Sequence, residues 1–249
     1  MIILIIGLSG SGKTELTNEL APRINAIVLN GDEVRETLSS DLSFSHEDRI
    51  EHARRMGCVA RILSSQGHIV IADFICPTNK TRESFGKADF IVWVNRINEC
   101  QYEDTNKLWE DPIFDIQISD GMTPKEEANA VIYCLGLYDW SAPTSLMLGR
   151  YQPWHEGHQA LYNTASLDSN QVVIGVRNTY KTSEKDPLKY SEVSRYIKEY
   201  IEKPFIIKMP NITRIVYGRD VGYSIDKIDL APEIESISAT QKRKDLGIA

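Results

Sequence analysis

Ile2-Ile3-Leu4-Ile5-Ile6-Gly7-Leu8-Ser9-Gly10-Ser11-Gly12-Lys13-Thr14 decides how the rest of the chain is read. Five consecutive apolar residues show no polar alternation, so Ile2–Ile6 is expected as a strand buried on both faces. A glycine-rich loop follows at once, and the pattern over Lys13–Leu20 is helical. The G-x-x-x-x-G-K-[ST] spacing suits a nucleoside triphosphate, because glycines let consecutive backbone N–H groups converge on phosphate oxygens. Gly7, Ser9, Gly10, Ser11 and Gly12 are the expected cradle for ATP. Lys13 reaches the terminal phosphates as a catalytic cation, and the Thr14 hydroxyl ligates Mg²⁺.

Working outward, Ala26–Leu29, Ile69–Ala72 and Phe90–Val94 read as further buried strands, with a helix over Glu47–Ser65 opened by Ser45 as N-cap. A helix over Pro124–Leu135 closes this series. Alternation of strand and helix implies a parallel sheet covered on both faces. After Asp139-Trp140-Ser141-Ala142-Pro143 the pattern restarts. Strands are expected at Ser145–Leu148, Gln171–Val176, Phe205–Lys208 and Arg214–Tyr217, and helices at His155–Ala165, Ser191–Glu202 and from Thr240 onward. The 249 residues therefore divide into two α/β domains, at 1–140 and 144–249.

With 42% hydrophobic residues the chain can fill its cores, and a formal charge of -7 argues against a general nucleic-acid binder, which needs a basic face. The opening apolar run is far shorter than the ~20 residues of a membrane span and lacks a basic leader. Cys58, Cys76, Cys100 and Cys134 form no CxxC pair, as expected of reduced thiols. A cytoplasmic protein acting on small nucleotides, without nucleic acid or membrane, is the expectation. Homo-oligomer formation is left open.

The acceptor side is written in Asn30-Gly31-Asp32-Glu33-Val34-Arg35, which brings a carboxylate and a guanidinium to the carboxyl end of the second strand, the edge where open α/β sheets bind ligands. Asp32 is a catalytic candidate for orienting or deprotonating an acceptor hydroxyl. Gly7–Thr14, Asn30–Arg35, Leu42–Ser45 with Glu47-Asp48-Arg49, Glu51–Arg55 and Ile69–Pro77 together resemble adenylylsulfate (APS) kinases in order and spacing. That resemblance implies a P-loop kinase in which Arg35 and Arg49 grip the acceptor's phosphosulfate, Phe44 and Phe74 hold its adenine, and Asp32 faces the 3′-hydroxyl. Three positions depart from the family: His52 replaces Asn, Cys76 replaces Ser, and Glu103-Asp104-Thr105-Asn106-Lys107-Leu108-Trp109 stands for a basic lid, Arg-Asp-Pro-Lys-Gly-Leu-Tyr. A glutamate where the lid has arginine weakens the stabilisation of a transferring phosphoryl group.

A second anion site is written in Gly149-Arg150-Tyr151-Gln152-Pro153-Trp154-His155-Glu156-Gly157-His158, after a strand and opening a helix. Histidines three apart share one face of a first turn, where free N–H groups favour an anion. The stretch resembles the HxGH signature of the nucleotidylyltransferase superfamily, and its fuller form is similar to archaeal-type nicotinamide-mononucleotide (NMN) adenylyltransferases. Ile237-Ser238-Ala239-Thr240-Gln241-Lys242-Arg243 matches that superfamily's Ile-Ser-x-Thr-x-x-Arg. The resemblance implies a small Rossmann-like domain in which a substrate phosphate attacks the α-phosphate of ATP or another nucleoside triphosphate. His155 and His158 would be catalytic. Gly149, Arg150, Ile237, Ser238, Thr240 and Arg243 would complete the triphosphate site, and Arg219 and Asp220 would contact an acceptor, base or ribose.

The whole chain is thus expected to be a bifunctional transferase, an APS-kinase-like kinase followed by a nucleotidylyltransferase that releases pyrophosphate. Two alternatives are a miniature PAPS-synthetase-like enzyme and a nucleotide-binding regulator whose kinase half does not turn over. About 105 residues is small for a sulfurylase domain, which weighs against the first.

Overall fold

The computed structural model describes residues 1–169, 171–179, 182–216, 218, 222 and 224–247. The chain divides into two compact units, Met1–Ser141 and Ala142–Ala249.

In the first unit, β1 (Ile2–Ile6), α1 (Lys13–Arg23), β2 (Ala26–Asn30), α2 (Gly31–Glu36), α3 (His46–Ser65), β3 (Ile69–Asp73), α4 (Asn79–Phe85), β4 (Phe90–Val94), α5 (Glu103–Leu108), β5 (Ile116–Ile118) and α6 (Pro124–Leu135) follow in order. The sheet runs β2-β3-β1-β4-β5, all parallel, with Ile3 opposite Ile71 on one side and Phe90 on the other. Successive side chains on β1 point to opposite faces. Ile3 and Ile5 pack with Leu16, Leu20 and Val131 from α1 and α6, while Ile2, Leu4 and Ile6 pack with Ala53 and Met56 from α3. That is why this strand shows no polar alternation.

Ser45 caps α3 by accepting from the Asp48 N–H, and Thr123 forms a capping box with Glu126 on α6. The helix α1 runs past the expected Leu20 to Arg23. Its buried guanidinium donates to Asp139 and Asn129, each at 2.6 Å, and so binds the end of the unit to α1. The short elements α2, α4, α5 and β5 had no counterpart in the sequence reading, since three to seven residues are too few for a periodic signal.

In the second unit, β6 (Thr144–Gly149), α7 (Glu156–Asp168), β7 (Gln171–Arg177), α8 (Tyr190–Tyr200), β8 (Phe205–Met209), α9 (Pro232–Glu235) and α10 (Ala239–Asp245) follow. Its sheet is parallel, β6-β7-β8, with Gly149 opposite Val176 and Arg177 opposite Met209. Ile174, Val193 and Ile197 are fully buried in its core with Trp154 beside them. The expected strand at Arg214–Tyr217 is not formed over Arg214–Val216, and Tyr217 lies outside the described residues. Ile215 and Val216 are 60% and 74% exposed, so among the described residues no strand or helix covers them to reward pairing. Among the described residues no helix is long and apolar enough to cross a membrane.

Candidate functional sites

At the carboxyl edge of the first sheet a cavity of about 470 Å³ opens, lined by the glycine loop, the starts of α2 and α3, the end of β3, and α5. The loop is held where bulk is impossible. A Cβ on Gly7 would collide with the Val94 carbonyl, and Gly12, at φ 92°, caps α1 with the Arg96 guanidinium against it. Ser9, Gly10, Lys13 and Thr14 face the cavity. Gly7, Ser11 and Gly12 shape the loop without lining that cavity. Lys13 is buried and donates to the Leu8 carbonyl at 2.9 Å. Burial lowers its pKa, and the charges of Asp73 and Asp32 oppose that shift.

Asp73 was missed by the sequence reading. It ends β3, is 1% exposed, and accepts from Asn30 Nδ2 at 3.4 Å, with the hydroxyls of Thr17 and Thr14 alongside. Burial raises its carboxyl above the usual range while Lys13 pulls it back. A carboxylate at the end of a fully buried strand, one strand away from the glycine loop, was the signal available for it. The oxygen set of Thr14, Asp73 and Asp32 on one cavity wall fits a hard divalent cation such as Mg²⁺.

On the acceptor side, Asn30 caps α2 by accepting from the N–H groups of Asp32 and Glu33, which leaves the Asp32 side chain exposed at the cavity. Arg35 lies 4.5 Å over the Phe44 ring and donates to the Ser43 carbonyl at 2.7 Å. Arg49 donates to the Phe44 carbonyl at 2.8 Å and pairs with Asp104 at 2.5 Å. Phe44 is 64% exposed, whereas Phe74 is buried against His52 and Phe85 and shows the cavity only part of its ring. His52 lines the same wall with a buried Nδ1 that has no hydrogen-bond partner among the described residues, and burial beside Arg35 and Arg55 lowers its pKa to about 4.

The lid-like segment is helix α5, and its one cation, Lys107, does not line the cavity. Glu103 pairs with Lys107 at 2.6 Å on the exposed face. The Asn106 amide both accepts from and donates to the Cys100 backbone, each at 2.9 Å. Only Asp104, an anion, turns toward the acceptor side. Arg96, just past β4, is a further residue the sequence did not flag. It lies against Gly12 and is paired with the fully buried Glu127 of α6 and with Glu15.

Residues 1–111 match the family described as adenylylsulphate kinase. Over those residues the first unit is similar in sequence to adenylylsulphate kinases. An adenylyl-sulfate kinase of Paraburkholderia xenovorans is 39% identical over 118 residues, which is 43% of this chain and 66% of that protein. The bifunctional enzyme NodQ of Rhizobium meliloti is 37% identical over 120 residues, 44% of this chain and 19% of its own length. The chain thus spans less than two thirds of either relative. A solved Mycobacterium tuberculosis APS kinase, in complex with AMPPNP and APS, is 25% identical over 54% of this chain and 96% of that one, with a TM-score of 0.48. In class the kinase unit is a transferase.

Beyond the kinase unit, the second site is assembled from two distant segments. His155 is not in the helix, as the sequence reading had it; it is the N-cap of α7, its Nδ1 accepting from the Gly157 N–H at 3.1 Å. His158 sits one turn on, its ring stacked on His155 at 3.8 Å and edge-on to Tyr151 at 5.0 Å. Burial lowers the pKa of both, that of His158 to about 3, so both imidazoles are neutral at pH 7. Gly149 is a glycine because Tyr151 folds back over it, 2.7 Å from where a Cβ would stand.

The second motif reaches the first through Arg243, which donates to the Gln152 carbonyl at 2.9 Å and to Thr240 Oγ1 at 3.1 Å. Lys242, unflagged in the sequence, pairs with Glu156 at 2.9 Å. Ser238 caps α10 by accepting from the N–H groups of Thr240 and Gln241, and the Ile237 N–H is spent on the Ile234 carbonyl. Arg150 pairs with Asp186 at 3.2 Å. Arg219 and Asp220 lie outside the described residues.

Proposed function

We propose that the chain is a bifunctional transferase. Its first unit moves the γ-phosphoryl of ATP to a hydroxyl of a nucleotide-like acceptor, and its second joins a nucleotidyl group to a phosphorylated acceptor with release of pyrophosphate. The observation that carries the first half is the convergence of the Lys13 loop, Asp32 and Asp73 on one cavity at the edge of a parallel sheet. Thr14 and Asp73 would hold Mg²⁺, which would neutralise phosphate charge when bound. Lys13 takes the terminal phosphates, and Asp32 orients the hydroxyl. The 1–111 match supports APS as the first acceptor to try.

For the second half, the carrying observation is the contact of Arg243 with the loop that precedes His155 and His158. Two motifs about 80 residues apart meet, as a triphosphate site needs. The neutral histidines donate hydrogen bonds to developing phosphate charge, and Arg243 with Ser238 and Thr240 holds the β- and γ-phosphates. No protein nucleophile is needed, since positioning and electrostatics suffice.

A second reading is favoured by α5. With Asn106 turned onto Cys100 and Glu103 in place of a cation, the first unit binds nucleotide as a regulator and does not turn over. One experiment separates the readings. Purified protein is given Mg²⁺-ATP with APS and a panel of nucleosides and nucleotides, and products are followed by mass shift and pyrophosphate release. Phosphorylated product that disappears in Lys13→Ala supports the kinase; calorimetric ATP binding without product supports the regulator. Pyrophosphate release that needs no prior phosphorylation removes the idea that the two steps are consecutive.

A further inference from the structure

The second unit carries a cavity that none of the residues discussed so far explains. It measures about 320 Å³ and lies beside the carboxyl ends of β7 and β8 and the first turn of α8. Three cations contribute to its wall: Arg177 ends β7, Lys208 lies on β8 opposite Val176, and Lys189 caps α8. Among the described residues no carboxylate lines it. Of the acids in the adjoining segment, Asp186 pairs with Arg150 and Glu192 accepts from the Lys189 backbone N–H, and the exposed Glu184 does not line the cavity.

None of the three cations has an ion-pair partner among the described residues. Arg177 spends one nitrogen on the Ile212 carbonyl at 3.2 Å, and its Nε is buried without a partner. Lys208 holds its ammonium 5.7 Å from the Tyr190 ring. The free N–H groups of the α8 start add partial positive charge on the same wall. Concentrated like charge is costly unless an anion joins it.

Gln152 gives the cavity its place in the site. It lines this wall and exchanges two hydrogen bonds with Leu188, while its carbonyl receives Arg243. His155 and His158 are not on the wall, so what enters here is not the reacting phosphate. We propose that this cavity seats the non-reacting end of the acceptor, that this end is anionic, and that a cationic ring such as the pyridinium of NMN is rejected. The proposal rests on the nucleotidyl-transfer reading of the second unit.

The test uses the full chain and three probes that share a phosphate but differ at the other end: 3-phosphoglycerate with a carboxylate, glycerol 3-phosphate with a neutral diol, and NMN with a cation. Acylation of Lys189 and Lys208 is followed by peptide mass spectrometry, which reports this cavity and not the Lys13 loop. The expected result is that millimolar 3-phosphoglycerate slows acylation of both lysines at least fivefold, glycerol 3-phosphate does so weakly, and NMN does not. In Arg177→Met the protection is lost, read as the ratio of acylation rates with and without probe in that same variant. If that variant does not fold, Lys208→Gln must weaken protection of Lys189 instead. Equal protection by NMN, or none by 3-phosphoglycerate, overturns the proposal. If the lysines are protected but no acceptor releases pyrophosphate, the transfer reading falls and the cavity's preference stands. Pyrophosphate release with NMN as acceptor does the reverse.

Discussion

In the proposed reading the two units would hold phosphate in opposite ways. In the kinase unit one continuous loop carries the cradle, rigid because Gly7 and Gly12 have no room for side chains, and its cation is a buried lysine balanced by two carboxylates. In the second unit the site is pieced together from segments near residues 150–158 and 238–243, and its central groups are two neutral imidazoles. A contiguous cradle is specified by local sequence, whereas an assembled one depends on the whole unit being folded. The first should tolerate distant damage, and the second should not.

The sharpest way to break the comparison is to remove the buried cation. Lys13→Ala is expected to cut phosphoryl transfer about 10³-fold while pyrophosphate release changes less than about twofold. Loss of both would mean that the units are not separate sites. Next in size, His158→Ala should lower pyrophosphate release by about 10²–10³-fold and leave the kinase reaction alone, measured by the same pair of assays.

Acidification sharpens the contrast in stability. His158 and His52 have folded pKa values held at about 3 and about 4, below their unfolded values, so the unfolded chain binds more protons as pH falls. Their stabilisation is present above about pH 6.5 and lost progressively below it, up to about 2 kcal/mol for each histidine by pH 5. Denaturant titrations at pH 7 and 5 measure the loss, and His158→Gln should flatten the dependence for the second unit only.

Smaller effects probe the lid. Restoring cations with Glu103→Arg and Asn106→Lys should raise transfer to APS about tenfold if α5 limits the chemistry, read as kcat. Asp104→Asn frees Arg49 from a pair whose acid is 60% exposed, so stability should move by less than about 1 kcal/mol. KM for an anionic acceptor should fall in the same variant. An unchanged KM would mean that Arg49 does not meet the acceptor.

Long buried strands and capped helices were legible because each carries its signal within a few residues: the unbroken run of β1, the Ser45 cap, the Thr123–Glu126 box. Residues whose role comes from another part of the fold were not. Asp73 gains its meaning from lying one strand from the loop, Arg96 from reaching Gly12, and Lys242 from meeting Glu156. The exposed Arg214–Val216 stretch shows the converse, an apolar pattern with no strand to pair against among the described residues. His155 was placed within a helix because spacing alone does not reveal which residue stops short and caps it.

That cap divides His155 between two duties, one for each ring nitrogen. Nδ1 is occupied in holding the start of α7, so only the Nε2 edge is left to carry a proton toward a ligand. Architecture and reactivity are therefore separable at this residue by a single exchange. Asparagine can supply its Oδ1 as the capping acceptor in place of Nδ1 but has no imidazole, so His155→Asn would give a folded unit with its chemistry removed.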